Sequence, residues 1–516
     1  ADLARRAGKP LAVLTADPLD AQRLAEEIRL FSPGLRVHQF PDWETLPYDA
    51  FSPHEDLISE RLKALHALLR QDVDVLTIPV TTALYRLAPP AFLAAYTFSF
   101  KQGDRLDEAA LRAQLTLANY THVTQVTAPG EFCIRGSLID LFPMGSALPY
   151  RLDLFDDTIE SIRSFDIDTQ RSLYPVKEIQ MLPGREFPMD EAARNEFRAR
   201  FREEFEGDPS RATPYKDIGN GIAFPGVEYY LPLFFDDTAT LFDYLGEHTI
   251  AVTLGDAEDT IRRFLQDTSS RYEFLKSDRE RPILPPSRIF LDTDGLFGHL
   301  KRFARLALAG DRPHPAFTAL PEVAVQRKAE DPVTRLRALA ARQDQRVLLC
   351  AESAGRRETI AQMLAEFGLD PEPVESVQDF LGRTSSFAIG IAPLSSGFGL
   401  VDPKLLFLTE SDLFSGHAVR RGKRGQERAS NVESMVRDLS ELRVGDPVVH
   451  VQHGIGRYQG LVSMDIGEGE MEFLHLEYAG GSTLYVPVSQ LHVIARYSGA
   501  DPDTAPLHQL GSGQWE

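Results

Sequence analysis

Residues 131–171 read EFCIRGSLIDLFPMGSALPYRLDLFDDTIESIRSFDIDTQR, and the pattern within them organises the chain on either side. From Phe132 to Pro143 the apolar residues Ile134, Leu138 and Leu141 sit among turn-forming and polar residues, and Gly145-Ser146 follows as a turn. Tyr150 to Phe155 alternates strictly. Tyr150, Leu152 and Leu154 fall on one face, Arg151, Asp153 and Phe155 on the other, as in a half-buried antiparallel strand. Asp156-Asp157 makes the next turn, and Ile159, Ile162 and Phe165 continue the apolar series into a third strand. The expectation is a small curved sheet with one wet face, from which Arg135, Arg151 and Phe155 look outward together. Two guanidiniums beside an exposed ring are common anchors of a protein contact. Alternation alone describes an ordinary solvated face equally well.

The chain has 516 residues, too many for one core and enough for three or four domains. Its 43% hydrophobic and 25% charged residues are ordinary for a soluble protein. No apolar run nears the roughly 20 residues of a membrane span, and no signal pattern opens the chain. A soluble, cytoplasmic protein without membrane contact is expected. Cys133 and Cys350 lie far apart in predicted strands, which favours buried reduced thiols over a bridge or metal ligands. A net charge of -21 argues against the whole chain lying along DNA. The absence of an initial Met and of a terminating pattern at Trp515-Glu516 reads as a piece of a longer protein.

Before the opening stretch, an apolar strand at Leu11 to Thr15 leads through Asp17-Pro18 into a helix carrying Leu24, Ile28 and Leu30. Pro41, Pro47 and Pro53 break the chain ahead of an amphipathic helix with Ile58, Leu62, Leu65 and Leu69, and Val73 to Pro79 returns as a strand. The order predicts an α/β layer with parallel strands. Gly8-Lys9 is followed by Pro10 and lacks the hydroxyl of a phosphate loop, so it reads as a turn. Beyond the stretch come a charged helix from Glu191 to Phe205 and a strand from His248 to Leu254. Residues 302–330, with Pro313, Pro315 and Pro321, read as a connection.

A further small α/β unit has strands at Arg346 to Ala351, Phe387 to Ala392 and Leu405 to Thr409, and a helix between an N-cap at Ser353 and a stop at Gly368. Glu410 and Asp412 after its last strand invite a magnesium reading, but no phosphate loop accompanies them, and solvated loop acids are the plainer reading. HAVRRGKRGQERAS, 417–430, reads as a basic linker. A short helix opens at Asn431.

The final module alternates in four short strands, 446–451, 456–462, 471–478 and 483–488, closed by a helical turn in SQLHVIARY, which predicts a small SH3-like or Tudor-like barrel. His450 and His453 have no third ligand nearby and read as packing residues rather than metal ligands. Met464 and Ile466 lead into the acidic hairpin DIGEGE, where exposed apolar residues beside an edge strand suit pairing with a partner's strand.

Three segments carry resemblances. RGSLIDLFP, RLDLFDD and SFDIDTQRS, from Arg135 onward, resemble the second domain of the UvrB family, and the same signature occurs in the transcription-repair coupling factor (Mfd) family. DWETLPYDAFSP, 42–53, resembles the first UvrB domain, a helicase-type fold. VGDPVVHVQHGIGRYQG and LYVPVSQLHVIARY resemble the CarD-like RNA polymerase-interacting domain. UvrB itself lacks such a barrel, and a CarD-type regulator lacks the UvrB-like module. A UvrB-type repair protein and an extended CarD-type regulator are therefore weaker alternatives to the coupling-factor family.

That resemblance implies a multidomain α/β plus β protein. Its parts are a UvrB-like domain 1a at 1–97, degenerate and helicase-type; an inserted small antiparallel-sheet domain 2 at 98–171; and domain 1b at 172–300. After a connector at 301–330 come a small α/β third domain at 331–416, a linker and helix at 417–443, a CarD-like barrel at 444–498 and a tail at 499–516. It further implies UvrA binding through Arg135, Arg151 and Phe155, and RNA polymerase β-subunit binding through Met464, Asp465 and Ile466. No catalytic residue, metal or cofactor is expected in this chain. ATP, magnesium and DNA contacts are implied for a motor missing from it.

Overall fold

A computed structural model describes residues 2–308, 315–326, 329, 331–342, 344–414, 444–450, 453–465, 470–487, 494–496 and 507. The expected linker and helix at 417–443 and the site residue Ile466 lie outside the described residues. The chain forms two compact units, one holding residues 1–43, 55–222 and 228–422, the other the terminal sheet with the segments 44–54 and 223–227.

The first unit opens with strands β1 (Leu11–Thr15), β2 (Val37–Gln39), β3 (Val75–Pro79), β4 (Phe98–Lys101) and β5 (Thr121–His122). There follow β6 (Glu131–Arg135), β7 (Leu138–Leu141), β8 (Tyr150–Phe155), β9 (Thr158–Phe165), β10 (Ser172–Val176) and β11 (Glu178–Met181), then β12 (Ile250–Leu254) and β13 (Ala304–Leu308). The first sheet runs β13-β12-β1-β3-β2 with every pair parallel. Every residue of β1 and β3 is buried, as continuous apolar runs covered on both faces should be. The helix Pro18–Phe31 starts at Asp17, whose carboxylate accepts from the Leu19 N–H at 2.9 Å, and it buries Ala21, Ala25 and Ile28.

The second sheet runs β10-β9-β8-β7-β6-β5 and is antiparallel except for β5 and β6. Two boundaries move. The expected return to the first layer at 172 does not occur there, because β10 pairs with β9 and β11 then pairs with β4. The expected connector at 301–330 supplies β13, which extends the first sheet beside β12. Neither β10 nor β13 alternates, so ladder hydrogen bonds rather than side-chain patterning define them.

The third sheet contains β14 (Phe317–Thr318), β15 (Arg346–Ala351), β16 (Glu372–Val374), β17 (Phe387–Ile391), β18 (Phe398–Leu400) and β19 (Leu405–Thr409), in the order β14-β18-β19-β15-β17-β16. Ser353 caps the helix Ala354–Glu366, and Gly368 follows it at φ +67. This layer is joined to the first. The Phe31 ring lies 5.9 Å from Phe398 and 5.7 Å from Phe407, both edge-on, and Gln378 Nε2 donates to the Leu30 carbonyl at 2.8 Å.

In the second unit β20 (Pro447–His450), β21 (Gly454–Asp465), β22 (Glu470–Glu477), β23 (Thr483–Pro487) and β24 (Ile494–Arg496) form an antiparallel sheet ordered β23-β22-β21-β20-β24. Val448, Tyr458, Leu474, Leu476, Tyr478, Val486 and Ile494 pack its inner face. Gly456 is required beside that core, since a Cβ there would lie 2.9 Å from the Tyr478 ring. The expected helical turn at the end is corrected in part: Ile494–Arg496 is a strand, paired with Val448–His450.

Candidate docking sites

The hairpin from β6 to β7 turns at Gly136, φ +61, which brings Asp140 opposite Cys133 on one side and Arg151 on the other. Directly opposed residues share a face, so the register puts Arg135, Asp140, Arg151, Asp153 and Phe155 on the same side of the sheet. Asp140 is 1% exposed, and its carboxylate is the centre of the arrangement. Arg151 grips it in two bonds, Nε to Oδ1 at 2.7 Å and Nη2 to Oδ2 at 2.9 Å, while Arg135 Nη2 also donates to Oδ2. Arg151 donates further to the Gln170 carbonyl at 3.2 Å and lies 4.8 Å over the Phe165 ring. Its bonds to Asp140 raise its already high pKa.

The two guanidiniums are therefore unequal. The Arg151 side chain is only 17% exposed and Arg135 is 49% exposed. This corrects the expectation that both look outward. A buried carboxylate beneath them draws Arg151 inward, because an unpaired charge there would carry a large desolvation penalty. Phe155, at the end of β8 before the turn at Asp156, is 69% exposed. Asp140 escaped the sequence reading, although an acid inside the apolar run LIDL was the available signal.

The second predicted site lies on β21. Met464 pairs with Met471 and Asp465 with Glu470, which closes a hairpin on β22. Along β21, β20 reaches Gly454–Arg457 and no farther, so among the described residues the far half of β21 has β22 as its single neighbour and an open edge. An open edge presents unpaired backbone N–H and C=O groups to an incoming strand.

The remaining candidate groups are occupied within the fold. Glu410 accepts from the Glu352 N–H at 3.1 Å and from Arg356 Nε at 2.8 Å, and Asp412 caps Thr409. The His450 and His453 rings lie 4.7 Å apart; burial, with a smaller contribution from His453, lowers the His450 pKa to about 4. Both cysteines are buried free thiols, and burial pushes Cys350 up to about 12. A nucleotide phosphate does not fit at the head of the helix Pro18–Phe31, where the Asp17 carboxylate already holds the N-terminus and Pro18 has no N–H to offer. Among the described residues no helix is long and apolar enough to cross a membrane, and no group of His, Cys, Asp and Glu is arranged to hold a metal.

The two faces fall within matches to known domains. Residues 98–187 match the model of the UvrB interaction domain, residues 340–413 that of the MFD D3 domain, and residues 442–498 that of the CarD-like/TRCF RID domain. The whole chain is 41% identical to a transcription-repair-coupling factor of Escherichia coli strain K12, and 98% of it is 41% identical to one of Haemophilus influenzae. Over its whole length the chain is similar to transcription-repair-coupling factors. A more distant coupling factor, from Bacillus subtilis, is 25% identical across the full chain. The chain spans less than half of these relatives, 45%, 44% and 45% of their lengths in turn. The asymmetric guanidinium pair lies in the segment shared with the UvrB interaction domain, and the open edge of β21 in the segment shared with the RID domain.

Proposed function

We propose that this chain is the amino-terminal adaptor of a transcription-repair coupling factor, joining UvrA to stalled RNA polymerase in nucleotide excision repair. Arg135 and Phe155 touch UvrA, and Arg151 with Asp140 holds the strand that presents them. The open edge of β21, with Met464 and Asp465, receives a strand of the polymerase β subunit, Ile466 next in sequence contributes to the same contact, and the sheet around the edge is a small Tudor-like barrel. The observation that carries the reading is Phe155. A ring 69% exposed on a paired strand, on the same face as a guanidinium anchored to a buried carboxylate, is a binding anchor with little order left to gain on docking.

The chain acts by binding in the bacterial cytosol. ATP turnover, magnesium and the main DNA contacts belong to the portion of the relatives that it does not span. Gel filtration with purified UvrA and with the polymerase β subunit tests both contacts. Each should co-elute with the wild-type chain. Phe155→Ala should abolish only the first complex, and Met464→Arg only the second, by placing a charge in an apolar edge contact. Co-elution of UvrA with Phe155→Ala at wild-type strength would remove the forward site, and DNA-stimulated ATP hydrolysis by the chain would contradict the adaptor reading.

A further inference from the structure

Arg163 on β9 stands directly opposite Arg151 on β8 and has Pro175 of β10 as its other neighbour. By the same register it projects from the face of Arg135, Arg151 and Phe155. It is exposed, and among the described residues no carboxylate pairs with it.

Like charges directly across a ladder weaken a sheet. Asp140 offsets part of this repulsion through Arg151, but it is shared with Arg135. Across β6 to β9 the face holds three guanidiniums, Arg135, Arg151 and Arg163, and three carboxylates, Glu131, Asp140 and Asp153. Glu131, farther along β6, turns its carboxylate to the Thr127 and Ala128 N–H groups. Charge on the face is balanced in number, and among the described residues Arg163 is the guanidinium of the three with no carboxylate paired to it.

We propose that Arg163 is a third contact residue of this face, taking a carboxylate from an acidic protein surface whose apolar slot receives Phe155. The proposal rests on the UvrA reading and specifies the chemistry that UvrA must present. From the Arg151–Arg163 row to Phe155 is four strand positions, about 13 Å, and from β6 to β9 is three inter-strand steps, about 14 Å. Such a patch matches the centre of a protein interface in size. Pro175 has no N–H to donate along the outer edge of β10, which disfavours an added strand there and leaves the face as the docking surface. Duplex DNA is disfavoured, since the chain's overall negative charge repels its phosphates while an exposed ring adds nothing to phosphate contacts.

The test is Arg163→Glu in the intact chain, with Arg163→Lys and Phe155→Ala beside it. Removing a like-charge pair should leave the melting temperature at or above that of wild type, whereas UvrA capture should fall at least about tenfold. Arg163→Lys should restore part of the binding, and the wild-type complex should weaken more steeply with salt than the Arg163→Glu complex. If Phe155→Ala loses UvrA and Arg163→Glu binds as wild type, Arg163 has no part in docking. If neither substitution changes capture, the UvrA reading itself falls. A melting temperature for Arg163→Glu well below wild type would overturn the proposal in favour of a structural role, and lost DNA binding with intact UvrA capture would overturn it in favour of nucleic acid.

Discussion

Reversing the charge of Arg151 separates a contact residue from a supporting one. In Arg151→Glu the two bonds to Asp140, at 2.7 and 2.9 Å, are replaced by a second carboxylate against one that is 1% exposed. Breaking a buried pair costs about 3–5 kcal/mol. The 17% exposure of the Arg151 side chain places this case near the lower end, at about 3 kcal/mol. At about 1.4 kcal/mol per factor of ten, amide exchange from β7, β8 and β9 should accelerate about a hundredfold. Arg135→Glu is the control, because its side chain is 49% exposed and its pairing should contribute about 1 kcal/mol or less. Its strands should exchange within about tenfold of wild type. Hydrogen exchange read by mass spectrometry resolves these peptides. If the sheet of Arg151→Glu exchanges at the wild-type rate, the guanidinium is not a structural partner of Asp140, and the division of roles between the two arginines is wrong.

Other substitutions and conditions probe the remaining elements. Arg61 is fully buried, bonded through Nε to Glu186 at 2.8 Å, and Trp43 Nε1 donates to the same carboxylate at 2.8 Å, so Glu186→Ala should lower stability by about 3 kcal/mol and shift the urea midpoint accordingly. Phe31→Ala removes the ring that meets the stacked Phe398 and Phe407 edge-on and should split the denaturant unfolding of the first unit into two phases; a single unchanged transition would show that the ring does not couple the layers. The terminal sheet should weaken on acidification. His450 stays neutral in the fold down to about 4, whereas the unfolded chain takes up its proton near 6.5, so stability should fall as pH drops through 6.5 and level off near 4. In His450→Gln that window should flatten, as read by thermal melts across the range.

The parts that could be read from the chain alone are those set by local periodicity. The predominantly apolar runs of β1 and β3, the N-cap at Ser353 and the stop at Gly368 specify a covered parallel layer and a bounded helix without reference to distant residues. Strands held mainly by their neighbours were not readable. Ser172–Val176 is exposed along nearly its whole length and contains Pro175, and Ile494–Arg496 is only three residues long, so both exist as strands because a neighbouring ladder is there to receive them. For the same reason the open half of β21 depends on where β20 stops, which no pattern within β21 records.

At the forward site the division is narrower still. Alternation in Tyr150–Phe155 determined by itself that Arg151 and Phe155 share a face, because successive side chains on a strand point to opposite sides wherever the strand lies. Only the tertiary structure decided which of them meets solvent. The carboxylate that draws Arg151 inward comes from Asp140 on the adjoining strand, and a buried charge takes the partner that the register supplies.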